Sequence, residues 1–176
     1  MVKRIKLNLE AIEAIYYFWV AASDKENVSE QFFHDIGNMD AMTNMYDDEF
    51  NQESVRRALS AIKNREPFSG NKKELKFWNL NMWAMEDFGI TEMMIQPLKK
   101  LNLDDLLENF AGIDTSYEDV EIIFSPMHME EYIIKGNKLL VNFFRIKADF
   151  NDESISIGDK EIKLYLQEKV QELLGQ

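Results

Sequence analysis

Cysteine is absent from this sequence, histidine occurs only twice, and seven glycines and three prolines punctuate 176 residues. Each scarcity removes a class of chemistry. Without cysteine there is no disulfide framework, thiol nucleophile, CxxC redox pair, or cysteine-ligated zinc or iron–sulfur centre. The absence also fits a cytoplasmic protein, and that is the location expected. Unclustered glycines spell neither GxGxxG nor GxxxxGK[ST], so no dinucleotide turn or phosphate-binding loop is signalled. A GxSxG nucleophile elbow and an EF-hand loop are missing too. No cofactor is indicated by any motif.

Long apolar runs are equally scarce. None approaches the roughly 18 residues of a membrane span, so a soluble chain without a membrane partner is expected. The basic residues Lys3, Arg4 and Lys6 precede an apolar run at 14–22, which resembles a secretory signal. Glu10 and Glu13 interrupt that pattern. They suit the first turn of an amphipathic helix, where carboxylates meet the positive end of the helix dipole.

Positive charge is the last deficit. Twenty Lys and Arg stand against 32 Asp and Glu, a net charge of −12. Nucleic-acid affinity draws on clustered cations, so this balance argues against such a partner. The charge is also polarised. Residues 101–134 hold no Lys or Arg but nine acids. Residues 56–76 hold seven bases against two acids, a local +5. The two segments are candidates for pairing within one chain or between two.

What is present is a well-patterned globular chain, 45% hydrophobic with 21 aromatic residues. Its length suits one domain. Spacings of three and four (Leu9, Ile12, Tyr16, Trp19) place a helix over 8–22. Similar stripes mark helices at 29–37, near 39–46, at 51–64 and at 73–88. Gly89 reads as the cap of that last helix, and shorter helices follow from Thr91 and over 103–110. After Gly112 the period changes. Strands are expected at 120–124, 132–134 and, as one long strand, 138–148, the last two joined by a turn at Lys135-Gly136-Asn137. A weak edge strand at 3–7 and another at 155–157 complete the set. The expected fold is α+β: a helical part over about 8–110, a strand-rich part over about 119–158 forming a small, mostly antiparallel sheet, and a C-terminal helix over about 161–174.

Two imidazoles limit acid–base and metal chemistry. Glu30 and His34 share a helix face at a spacing of four, and Asp35 follows directly. His128 lies in Ser125-Pro126-Met127-His128-Met129-Glu130-Glu131, a loop between two strands. Were His34 and His128 to meet near Asp35 or Glu131, they would form a two-histidine–carboxylate site. The catalytic candidates are thus His34, His128 and Glu131; the metal candidates are Glu30, His34, Asp35 and His128. A second feature is the aromatic helix over 73–88. Its Trp78, Met82, Trp83 and Met85 suit a hydrophobic interface or an adaptable pocket.

Three functional readings follow. The first is a non-catalytic binding or protein-interaction module that forms a homodimer through the 73–88 helix. The second is a metal-dependent hydrolase using the histidines and carboxylates. The third is an acidic mimic of nucleic acid that binds a basic protein through 101–134. A small apolar ligand is a further partner that the methionine and aromatic content admits.

Overall fold

The two most apolar strands organise the chain in the computed structural model, which describes residues 1–176 throughout. These are β2 (Asp119–Ser125) and β4 (Lys138–Asn142). Residues from Ile122 to Ser125 and from Leu139 to Asn142 are all buried, so both faces of this sheet are covered. β1 (Arg4–Asn8) pairs parallel with β2 at one edge. β3 (Tyr132–Lys135) pairs antiparallel with β4 at the other. The order β1-β2-β4-β3 inserts β4, again parallel, between β2 and the strand that follows it. Gly136 supplies the positive φ of 59° in the β3–β4 turn, a conformation that costs glycine little.

The run expected as one strand over 138–148 is interrupted. Asn142 turns its side chain back to accept a hydrogen bond from the Phe144 amide at 2.9 Å. This caps a single 3₁₀ turn, Phe143–Arg145. The chain then leaves the first sheet. β5 (Ile146–Ala148), β6 (Ile155–Ile157) and β7 (Lys160–Glu161) form a second, wholly antiparallel sheet. Across the two sheets three of five pairings are antiparallel, and the architecture is α+β.

Seven α-helices accompany the sheets: α1 (Glu10–Ser23), α2 (Glu30–Gly37), α3 (Asp40–Thr43), α4 (Gln52–Asn64), α5 (Lys72–Glu86), α6 (Phe88–Lys99) and α7 (Ile162–Leu174). Their starts follow local chemistry. Asn51 and Asn71 each form a reciprocal capping box, with Ser54 and Glu74 respectively. Asn8 bonds the Glu10 amide at 3.0 Å, but the helical turn proper begins after Leu9.

Gly89 does not cap α5. Asp87 intervenes, accepting from the Gly89 and Ile90 amides and so starting α6 one residue later. Gly89 therefore sits in the first turn of α6, which also contains Pro97. The segment expected as an α-helix over 103–110 is a 3₁₀ helix, Asp104–Phe110.

Strand register assigns the faces. Tyr132, Val141 and Phe124 lie side by side, and the Tyr132 hydroxyl donates to Glu172 on α7 at 2.9 Å. α7 therefore covers this face. Alternate residues point the other way. Ile133, Leu140 and Ile123 are partners on that second face. Ser125 shares it, and its hydroxyl donates to the Ala41 carbonyl of α3 at 2.6 Å. One continuous apolar core of 46 residues joins the helices to both sheets.

Part of the polarised charge is paired, but not between the two segments. Lys3, Arg4 and Lys6 of the N-terminal region pair with Glu118, Asp119 and Glu121 of the acidic segment. In the basic segment, Arg56 pairs with Glu30 and Glu53, Arg57 with Glu74, and Lys73 with Asp47 and Glu49. No ion pair links 56–76 to 101–134. No helix is long and apolar enough to cross a membrane.

Candidate binding cleft at the end of the central strand

β2 delivers its chain to the carboxyl edge of the parallel strands, a position where ligands commonly bind in sheets of this kind. Because β4 occupies the place beside β2, residues 126–131 must cross the end of β4 to reach β3. Three bonds hold that crossing. The Asn142 amide donates to the Glu131 carbonyl at 2.9 Å. The Asn142 side-chain amide donates to the Glu130 carbonyl at 2.8 Å. The Arg145 guanidinium donates to the Met129 carbonyl at 2.8 Å. The loop is therefore a fixed support for its side chains.

His128 projects from this loop into the protein. It is 6% exposed, and neither ring nitrogen has a hydrogen-bond partner. Its ring rests on Phe50, with centroids 4.4 Å apart and planes tilted by 58°. Phe50 is held by its own turn. The Asp47 carboxylate accepts from the Glu49 and Phe50 amides at 2.8 and 2.9 Å and is also paired with Lys73 from the first turn of α5.

These elements enclose a cleft of about 300 Å³. Met45, Met127, Met129 and Ile133 provide much of its wall, with Lys73, Lys135 and Glu130 nearby. Burial, and secondarily the Lys73 ammonium, push the His128 pKa below the ordinary histidine range; Asp47 opposes the shift more weakly. The imidazole is therefore neutral at pH 7. One nitrogen carries a lone pair, the other a proton, and neither is engaged. Burial also holds the Tyr46 hydroxyl protonated well above its usual range, and it donates to the Gly37 carbonyl at 2.6 Å.

The lowered pKa fixes the sign of a pH effect. The unfolded chain takes up a proton near pH 6.5, whereas the folded chain resists it until a lower pH. Between those two values the unfolded state binds more protons, so stability falls as pH falls through the window. The loss approaches about 1.4 kcal/mol per pH unit at most. Urea unfolding of the wild type and His128→Gln from pH 7.5 to 5 is expected to show a steeper acid loss in the wild type. Parallel curves would remove the assignment.

The other candidates occupy separate surroundings. His34 on α2 places Nδ1 3.5 Å from the Gln52 side-chain nitrogen, while His128 packs on Phe50. Glu30 bonds Ser60 and Arg56. Asp35 accepts from Gln31 at 2.9 Å. Glu131 accepts from the Tyr165 hydroxyl at 3.0 Å, from the helix on the opposite face of the sheet. No three His, Asp or Glu side chains converge on a point that suits a metal ion. Sequence reasoning singled out His128 but missed Phe50, Asp47, Lys73 and Met45 around it. Its available signal was the Met127-His128-Met129 triplet itself.

The aromatic helix divides between core and surface. Phe77, Asn81 and Ala84 of α5 are buried. Trp78 is half-buried, stacked on Phe68 at 6.1 Å, with the Arg57 guanidinium over the other ring. Met82 and Met85 line a shallow depression with Ile62 and Arg65. Trp83 remains 44% exposed and Met82 38%.

A larger, open groove of about 840 Å³ lies between α6, the β5–β6 turn and the start of α7. Its most enclosed carboxylate, Glu92, is already committed to Tyr16 at 2.7 Å and Gln96 at 3.0 Å. Of the two, the smaller cleft presents a buried side chain, His128, with nothing bonded to it; the Trp78 indole nitrogen on α5 is likewise unpartnered. No protein-family model, curated protein or solved structure matches this chain.

Proposed function

We propose that this chain is a non-catalytic binding module whose ligand occupies the His128 cleft. The observation that carries the reading is the imidazole itself: 6% exposed and without a partner at either nitrogen. A buried polar group left unpaired costs about 1–3 kcal/mol, which a bound ligand or an ordered water recovers. Binding without catalysis is favoured because the acid and base beside His128 are spent on structure. Asp47 and Lys73 neutralise each other and hold the turn that carries Phe50. The hydrolase reading is carried less far, since its carboxylates are engaged elsewhere. The acidic-mimic reading loses reach because four of its nine acids are paired within the chain.

The test is a screen of polar organic fragments against protein labelled at its methionine methyls. Saturable shifts at Met45, Met127 and Met129, lost in His128→Gln, are expected. A screen that moves only methionines distant from the loop would refute the site.

Self-association of two copies in the cytoplasm is part of the same proposal. It is supported by the exposed Met82 and Trp83 on α5. Light scattering is expected to give twice 20.7 kDa, and Trp83→Lys to give the single chain mass. A monomer at tens of micromolar wild type would dispose of the dimer and leave the cleft untouched.

A further inference from the structure

We infer that the His128 cleft is a site for a soft monovalent metal ion, copper(I), held by His128 together with the thioethers of Met45, Met127 and Met129. This rests on the reading of the cleft as a binding site and names what fills it.

The donor set points to the ion. All four side chains line one cleft, and three of them are nearly inaccessible: Met127 is 1% exposed, Met45 5% and His128 6%. Two of the hard groups on the cleft wall are already bonded within the chain. The Tyr46 hydroxyl goes to Gly37, and Asp47 serves Lys73 and two backbone amides. The Asn44 side-chain nitrogen donates to the Asp40 carbonyl and leaves its oxygen unbonded. The buried donors are the imidazole and the sulfurs of Met45 and Met127; Met129 and the Asn44 oxygen are half-buried, and the Glu130 carboxylate lies at the exposed rim.

Met45 illustrates the point. Its sulfur lies 3.6 Å from the Ser125 oxygen, but that hydroxyl has one proton, directed to the Ala41 carbonyl at 2.6 Å. The thioether keeps its lone pairs. Thioether and imidazole ligands select copper(I) over hard cations of the magnesium or calcium type. The set is uncharged, so it suits an ion of single charge better than a divalent one. Around it, Asp47 and Glu130 match Lys73 and Lys135 in formal charge, and of these Lys73 acts on His128 more strongly than Asp47 does.

The sequence makes the site unusually clean to test. The chain has no cysteine, so no thiolate competes for a soft metal. Ten methionines are present, and only these three line the cleft. Met127 and Met129 flank His128 directly, and the 126–131 crossing is held by Asn142 and Arg145. The positions of three of the four donors are thus set by the same backbone bonds.

The experiment is an anaerobic titration of the full chain with copper(I) against a chromophoric copper(I) chelator. Silver(I) serves as the diamagnetic probe for methionine-methyl NMR. One ion per chain is expected, with silver shifting the methyls of Met45, Met127 and Met129. His128→Gln and the Met127→Leu/Met129→Leu double variant should each weaken binding at least tenfold. Leucine conserves volume, so the double variant should keep its melting temperature within a few degrees.

Absence of competition with the chelator would overturn the proposal. So would uptake unchanged in the Met45→Leu/Met127→Leu/Met129→Leu triple variant, which would mean binding at other methionines. If copper(I) is refused while organic fragments still shift these methyls, the metal assignment falls and the binding cleft stands. If neither perturbs them, both fall and the cleft holds water only.

Discussion

Asn81→Asp is expected to cost about 4 kcal/mol of stability at pH 7, and to recover about 1.4 kcal/mol for each pH unit of acidification. Asn81 is fully buried on α5. Its side-chain oxygen accepts from the Trp19 indole at 2.8 Å, and its side-chain nitrogen donates to the Phe77 carbonyl at 2.8 Å. Aspartate has the same shape but, when ionised, sets a second oxygen against that carbonyl. Burial without a cation makes the ionised form very costly. The neutral acid, in contrast, reproduces both bonds, accepting from Trp19 and donating to Phe77.

The cost is therefore that of carrying a proton in the folded state that the unfolded state has released. Between an unfolded pKa near 3.9 and pH 7 this amounts to about 4 kcal/mol. The sign follows: the folded pKa is raised, so the folded state binds more protons and stability rises as pH falls. For a chain of this size the loss at pH 7 corresponds to roughly 8–16 °C in Tm. Asn81→Leu is the control. It leaves the Trp19 N–H unpaired, at about 1–3 kcal/mol, with no pH dependence of its own. If Asn81→Asp and Asn81→Leu follow the same pH profile, the bond pattern at Trp19 is misassigned.

Asn81 also shows where sequence patterns stop. The 73–88 region is apolar on more than one face, and that pattern places a helix correctly. It does not reveal that a single asparagine on the buried stripe closes a bond to a helix 62 residues earlier. The same limit appears at the helix end. Gly89 has the composition of a cap, yet Asp87 two residues before it can start a new helix, and the structure uses the aspartate. Asn142 interrupts a run that periodicity reads as continuous strand, because a side-chain cap competes with the ladder.

Element types were legible because burial periodicity is local. Strand order was not, because parallel pairing of β2 with β4 depends on where a six-residue loop crosses. For the site, one histidine of two was identified with its loop. Its neighbours come from residues 44–50 and the start of α5, and only the fold brings those segments to the end of β2.

Phe50→Ala is expected to destabilise the protein by about 3–5 kcal/mol and, separately, to raise the His128 pKa toward its ordinary value. Phe50 is fully buried, with Tyr46, Phe77 and His128 at ring distances of 6.1, 5.2 and 4.4 Å. Removing the ring leaves a cavity between α5 and the 126–131 crossing. The surrounding walls are pinned: Asp47 holds the 47–50 turn, and Asn142 holds the crossing loop. Little collapse is available, which places the cost in the upper part of the usual range.

The second effect distinguishes the ring that backs His128 from ordinary core. The His128 pKa is depressed chiefly by desolvation, and Phe50 is the ring laid against it. A cavity that admits water relieves that desolvation, so the imidazole titrates closer to 6.5. Urea unfolding measures the first quantity, and the histidine ring resonances against pH measure the second. Phe50→Leu retains most of the volume and is expected to lose far less stability with a smaller shift. Loss of stability with an unmoved His128 titration would mean that other neighbours keep the imidazole dry. A raised pKa in proportion to the volume removed would make Phe50 the residue through which core packing sets the charge state of the site.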